Sequence, residues 1–180
     1  MIIFIDPGKQ GGYADFSEEG KIRSVGKLKI KKSKLGVEHF ETLHIPEDTT
    51  RIYIEKQQPM GVIPGRSRAG GASRTDFKIG LLYGSLLQAV YGEAKKLKTP
   101  PVIIQVPIAT WKAALKKETR TYPVLPSDTK ALAEMYARQV LGSAAFEEYT
   151  ILSKAQKLPH DGIVDALVLG LLYFQGYLDM

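Results

Sequence analysis

A mixed α/β fold, with helices on the faces of a sheet, is what the sequence predicts, and three features carry that expectation. Short apolar and β-branched runs crowd the first half of the chain. From Thr75 onward, helical periodicity alternates with one further strand-like run. The final helical stretch is apolar almost all round, as a helix buried against a sheet must be.

The elements follow in order. "MIIFID" (Met1–Asp6) is a continuous apolar run, the pattern of a strand buried on both faces. "GGYADFSEEGKIRSVGKLKI" reads as short strand pieces broken by a hairpin-type turn at Glu19-Gly20. "RIYIEKQ" (Arg51–Gln57) is a second apolar strand. The seventeen residues "QPMGVIPGRSRAGGASR" form a connection long enough to suggest a functional loop. A helix is expected from Thr75 to about Leu97, with Phe77, Leu81, Leu87 and Tyr91 near one face and Gly80 and Gly84 on the same side. "PPVIIQVP" is a strand, "IATWKAALKK" a short helix and "ETRTYPVLP" a loop. Ser127 reads as the N-cap of a helix running to about Leu141 and closed by Gly142. The last helix starts after Pro159 and runs to about Gly176. No repeat or domain-sized linker interrupts residues 1–180, so one domain is expected.

Composition narrows the chemistry. With no cysteine, disulfides, thiolate zinc sites and cysteine nucleophiles are excluded. No signal-peptide pattern opens the chain, and the longest apolar stretch is interrupted by Asp165, so a soluble, cytoplasmic protein is expected. The net charge of +6 is patterned: Lys21, Arg23, Lys27, Lys29, Lys31, Lys32 and Lys34 follow one another without an intervening acid. A polyanion such as nucleic acid is the natural partner, though a solvated basic surface explains the same run.

Against that basic background, acids stand at the ends of apolar elements. Asp6 ends the first strand, with Pro7-Gly8-Lys9 behind it, and Glu55 closes a later one. Asp161 and Asp165 open the last helix four residues apart, on one helix face. Taken singly, Asp6 reads as a turn residue, Asp161 as an acid at a helix N-terminus and Glu55 as a surface pair. Asp165 is hardest to explain that way, because Leu167, Val168, Leu169 and Leu171 follow at once. Converging carboxylates repel unless cations join them. Mg²⁺ or Mn²⁺ prefers oxygen ligands, and two such ions ~3.5–4 Å apart clamp the attacking and leaving oxygens of a phosphodiester.

These motifs resemble the RuvC-type Holliday junction resolvases of the RNase H-like superfamily. "IDPG" is similar to that family's opening motif, "YIEKQ" to its second acidic strand and "HDGIVDALVLGLLY" to its C-terminal acidic helix. "VPIATWKAALKK" followed by "DTKALAEMYARQVL" resembles its stretch of strand, helix with Lys, loop and helix with Lys. The resemblance implies a five-stranded mixed sheet flanked by helices, and a homodimer whose two-fold axis matches a four-way junction. It also implies Asp6, Glu55, Asp161 and Asp165 as catalytic metal ligands, two Mg²⁺ or Mn²⁺ ions per site, and paired nicks with 5′-phosphate and 3′-hydroxyl ends. One departure stands out. Bacterial members commonly carry Asp or His three residues before the last acid, where this chain has Gly162, with Asp161 and His160 just upstream. That pattern is closer to phage and viral relatives.

Candidate nucleic-acid contacts are Lys9, the loop arginines Arg66, Arg68 and Arg74, and Lys112 and Lys130, whose family counterparts lie near DNA. Trp111 and Tyr122 are candidates for stacking on unpaired bases or for the core. The helix carrying Gly80 and Gly84 is the candidate dimer contact. Two other readings stay open: an RNase H-like nuclease acting on flaps, branched DNA or structured RNA, and a DNA-binding module without catalysis. An actin-like or sugar-kinase ATPase also starts with a strand and an Asp-x-Gly turn, but needs a longer chain and a second phosphate loop.

Overall fold

The computed structural model describes residues 1–8, 10–34, 38–41, 43–57, 74–153, 155–156 and 158–178, with the backbone alone for 74–77. Among the described residues, seven strands form: β1 (Ile2–Asp6), β2 (Gly12–Phe16), β3 (Ile22–Lys27), β4 (Ile30–Lys32), β5 (Glu38–Phe40), β6 (Arg51–Lys56) and β7 (Val102–Pro107). Five helices accompany them: α1 (Arg74–Ala94), α2 (Ile108–Glu118), α3 (Thr129–Leu141), α4 (Ser143–Thr150) and α5 (Asp161–Phe174).

The main sheet has five strands in the order β3-β2-β1-β6-β7, and β4 and β5 pair separately. The hairpin-linked strands β1, β2 and β3 run antiparallel, whereas β1, β6 and β7 run parallel. Gly20, at φ +81°, makes the turn between β2 and β3, as the Glu19-Gly20 pair suggested. A mixed five-stranded sheet flanked by helices is the fold class expected from the sequence, and it is consistent with an RNase H-like fold.

Strand alternation decides what each face carries. Ile2, Phe4, Ala14, Phe16 and Tyr53 point to one face and join Trp111, Leu132, Tyr136, Phe146 and the apolar length of α5 in one core. The Phe4 and Tyr53 rings stack there at 5.0 Å. Ile3, Ile5, Ile52 and Ile54 point to the other face and meet Phe40, Ile45 and the α1 residues Leu82, Leu86, Val90 and Ala94. Continuing the first series by one step puts Asp6 and Glu55 on the α5 face, at the same end of two neighbouring parallel strands.

Three details differ from the sequence expectations. The stripe that α1 buries is Leu82, Leu86, Val90 and Ala94, and Leu81 and Tyr91 are exposed. The Gly80–Gly84 side therefore faces outward, with no atom within 4 Å of a Cβ built on either glycine. The N-cap of α3 is Asp128, whose carboxylate accepts from the Ala131 N–H at 3.4 Å, so the cap lies one residue after Ser127. Gly142 closes that helix at φ +82° as expected. The polar stretch after it folds into α4, which buries Phe146 and Thr150, an element the sequence reading left out. Of the two rings read as core or stacking candidates, Trp111 is 1% exposed and belongs to the core, and Tyr122 is partly buried against it. No helix among the described residues is long and apolar enough to cross a membrane.

Candidate active site

Asp6 and Glu55 reach the site through sheet register. β1 pairs with β6 from Ile2 opposite Arg51 to Ile5 opposite Ile54, so the next step sets Asp6 beside Glu55. Both side chains leave at the carboxyl ends of parallel strands, where open α/β sheets place their ligand sites. β7 ends opposite Lys56 at Pro107, and α2 begins at once, bringing Trp111 and Lys112 to the same end.

Asp165 arrives from α5, and glycines make that approach possible. Gly11 bridges Gly162, backbone to backbone, so the first turn of α5 lies directly on the bend between β1 and β2. A Cβ at Gly12 would lie 2.6 Å from the Ile163 nitrogen, and one at Gly162 would lie 2.7 Å from the Gly12 nitrogen. Real side chains cannot occupy either place. A third glycine opens the site itself: the Gly8 N–H donates to Asp6 Oδ1 at 3.1 Å, and a Cβ there would sit 3.2 Å from Asp6 Oδ2.

Burial and neighbouring charges raise all three carboxyl groups. Asp6 is 8% exposed and Glu55 6%. Burial, then Glu55, then Asp165, drives the Asp6 carboxyl well above the usual aspartate range, against the Gly8 N–H and the Lys112 ammonium. Glu55 is pushed up to about 7 by burial and by Asp165, with the Trp111 N–H and Lys112 opposing. Asp165 is pushed up to about 6 by burial, with Lys112 opposing and Asp161 adding to the rise. Among the described residues, Lys112 is the one cation that opposes all three.

Asp161 stands apart. It is half exposed, and its Oδ2 takes an ion pair from Lys130 Nζ at 2.5 Å. It lines a cavity of about 210 Å³ with Asp128, Lys130, Glu134 and Asp165. Its charge is felt by Asp165 but is not among the influences on Asp6 or Glu55. His160, the residue before α5, lines a different cavity with Gln10, Lys27 and Gln156. Burial and Lys27 hold its imidazole below the usual histidine range.

The donor set fits a hard divalent cation in kind: all oxygen, all anionic, buried and mutually repelling. Among the described residues, no three His, Cys, Asp or Glu side chains stand grouped as they would around a bound metal ion. The fit therefore lies in the chemistry and convergence of the donors. Of the other candidate residues, Lys9, Arg66 and Arg68 lie outside the described residues, as does the side chain of Arg74. Lys112 sits at the carboxylates and Lys130 at the rim, on Asp161. Sequence reasoning missed the roles of Gly162 and Trp111. The Gly11-Gly12 pair was visible, but its partner glycine lies 150 residues away in the chain.

These shifts fix a pH dependence. Glu55 and Asp165 ordinarily titrate at 4.5 and 3.8. Between those values and the raised ones, the folded protein holds protons that the unfolded chain has released, so stability falls as pH rises through that window. The melting temperature of EDTA-treated protein is expected to drop between pH 5 and pH 8. Millimolar Mg²⁺ should restore more of it at pH 8, where ligands are ionised, than at pH 5. A melting temperature that rises with pH in EDTA would contradict the arrangement.

Comparisons of the chain with protein-family models, with curated proteins and with solved structures return no match.

Proposed function

We propose that this chain is a metal-dependent endonuclease of the RNase H-like type, cutting four-way DNA junctions. The observation that carries the nuclease reading is the trio Asp6, Glu55 and Asp165. Three elements bring these acids together, and ionising them there carries a cost that a bound cation relieves without protonating them. Such an arrangement has little structural purpose, because apolar residues would pack there more cheaply.

Asp6, Glu55 and Asp165 would hold Mg²⁺ or Mn²⁺, with Asp161 as a further carboxylate beside Asp165. Bound divalent ions supply activation of water and neutralisation of charge at the leaving oxygen. The rest is the work of the chain. Gly8 leaves the face of Asp6 open to a phosphate. Lys112, already turned to the carboxylates, offsets charge on the scissile phosphate. Lys130 holds Asp161 at the rim.

Basic surface at the same end of the sheet supports a polyanionic substrate. Asp6 pairs with Gly12, and Gly12 with Lys27, so the lysine run from Lys27 to Lys34 leaves the sheet at the Asp6 end. Within it, Lys31 pairs with Glu41 and Lys32 with Glu38. The choice of a four-way junction, and of 5′-phosphate and 3′-hydroxyl products, rests on the RuvC-type resemblance. The homodimer it implies has a candidate surface in the outward side of α1, where Leu81 and Tyr91 are 45% and 41% exposed.

The direct test offers the purified protein a synthetic four-way junction and a matched linear duplex, with Mg²⁺ and then with EDTA. Paired nicks on the junction alone, lost in EDTA, are the expected result. Equal cutting of both substrates would leave a nuclease with the same site but remove the junction assignment. Binding without cutting in Mg²⁺ and in Mn²⁺ would overturn catalysis.

A further inference from the structure

Trp111 is the sole tryptophan of the chain, and it is buried to 1% exposure in the first turns of α2. Its indole N–H donates to Glu55 Oε2 at 2.8 Å. An indole has one donor and no acceptor, so this is its only conventional hydrogen bond. The other Glu55 oxygen, Oε1, is met by the Gln57 side-chain amide at 3.3 Å, a long contact on a residue at the strand's outer end. The Lys112 ammonium lies 5.4 Å from the indole ring centroid, so the same ring also carries the cation that faces the carboxylates.

We infer that Trp111 is the positioning residue of Glu55: its N–H pins Oε2, so that Oε1 is the oxygen offered to a divalent cation. The inference rests on the metal-dependent reading above and goes beyond it. A glutamate at a strand end has a flexible side chain, and non-directional packing alone cannot fix the direction of its oxygens. A directional donor on a ring locked in the core does. Groups that orient a ligand in this way change metal affinity by about 10–100-fold when lost.

Trp111→Phe keeps a ring in the core and removes the donor. Calorimetric titration with Mn²⁺ should give about 10–100-fold weaker binding than the wild-type protein. In a Glu55→Ala background the same substitution should cost nothing further, which a purely packing role would not produce. Equal Mn²⁺ affinity of wild type and Trp111→Phe, or a full additional loss in the Glu55→Ala background, overturns the inference. Should Trp111→Phe fail to fold, the wild-type protein still decides. Its single tryptophan should change emission with Mg²⁺ at the half-saturation that a calorimetric titration with Mg²⁺ reports, and unchanged emission at saturation overturns the inference. Absence of Mn²⁺ binding to the wild-type protein overturns the metal-dependent reading and this inference together. Binding that is intact but indifferent to Trp111 overturns this one alone.

Discussion

Asp6→Asn is expected to abolish junction cutting, by at least about 10²–10³-fold, while junction binding should stay within a few-fold of wild type. The side chain keeps its shape, and its oxygen can still accept from the Gly8 N–H. What disappears is one of three negative charges at the carboxyl ends of β1 and β6 and on α5. Cutting is read on a labelled four-way junction in Mg²⁺, and binding by gel shift in Ca²⁺ or EDTA. Cutting that survives would remove Asp6, and with it the proposed site.

A second reading of the same variant separates a catalytic acid from a structural one. Ionised Asp6 is opposed by burial, by Glu55 and by Asp165. Removing its charge relieves that repulsion, so the metal-free Asp6→Asn protein is expected to melt higher than wild type at pH 8. At pH 5 the difference shrinks, because the wild-type site is then largely protonated. A tenfold change in proton affinity is worth about 1.4 kcal/mol, so the rise of Glu55 from 4.5 to about 7 alone corresponds to a penalty on the order of 3 kcal/mol at high pH. A structural turn residue behaves in the opposite way: its amide costs stability at every pH. Gain of stability with loss of cutting is the signature of an acid retained for function.

Much of this architecture was legible in the sequence because the signals are local. An unbroken apolar run ending on an acid specifies both a buried strand and a charged tip, and Asp6 and Glu55 carry the two clearest cases. The apolar length of α5 likewise announces burial, with Asp165 at its edge. What could not be read is what depends on two distant segments meeting. Whether Asp161 joins the trio or leans outward is decided by Lys130, 31 residues before it, on another helix. The stripe that α1 buries was displaced because its residues at 81 and 82, and at 86 and 87, are all leucine, so periodicity alone leaves the register open. Trp111 looked like a core or stacking ring, and it is a core ring, but the partner of its N–H becomes visible only when α2 follows β7 to the Glu55 end of the sheet.

Gly162→Ala is expected to cost about 3 kcal/mol or more, read by urea unfolding in EDTA, and the sign is the diagnostic part. In an exposed helix the same exchange stabilises by up to about 1 kcal/mol, because alanine is the better helix former. Gly92→Ala on α1, where no atom lies within 4 Å of the new Cβ, should show that gain. At Gly162 the added carbon meets backbone: the Gln10 carbonyl oxygen, the Gly11 carbonyl carbon and the Gly12 nitrogen. None of these is the movable end of a side chain, so α5 itself must shift, and Asp165 shifts with it. A folded Gly162→Ala protein should therefore also lose cutting and Mn²⁺ affinity. On the RuvC-type reading proposed above, Gly162 would occupy the place, three residues before the last acid, where bacterial resolvases of that type commonly carry Asp or His. Here that place is pressed against the β1–β2 bend and admits no side chain. The additional carboxylate stands instead at Asp161, one residue earlier, where the helix turns outward and Lys130 meets it. The packing that brings Asp165 to the strand ends thus also displaces its neighbour to the rim, and a side chain at Gly162 that left stability unchanged would break that account.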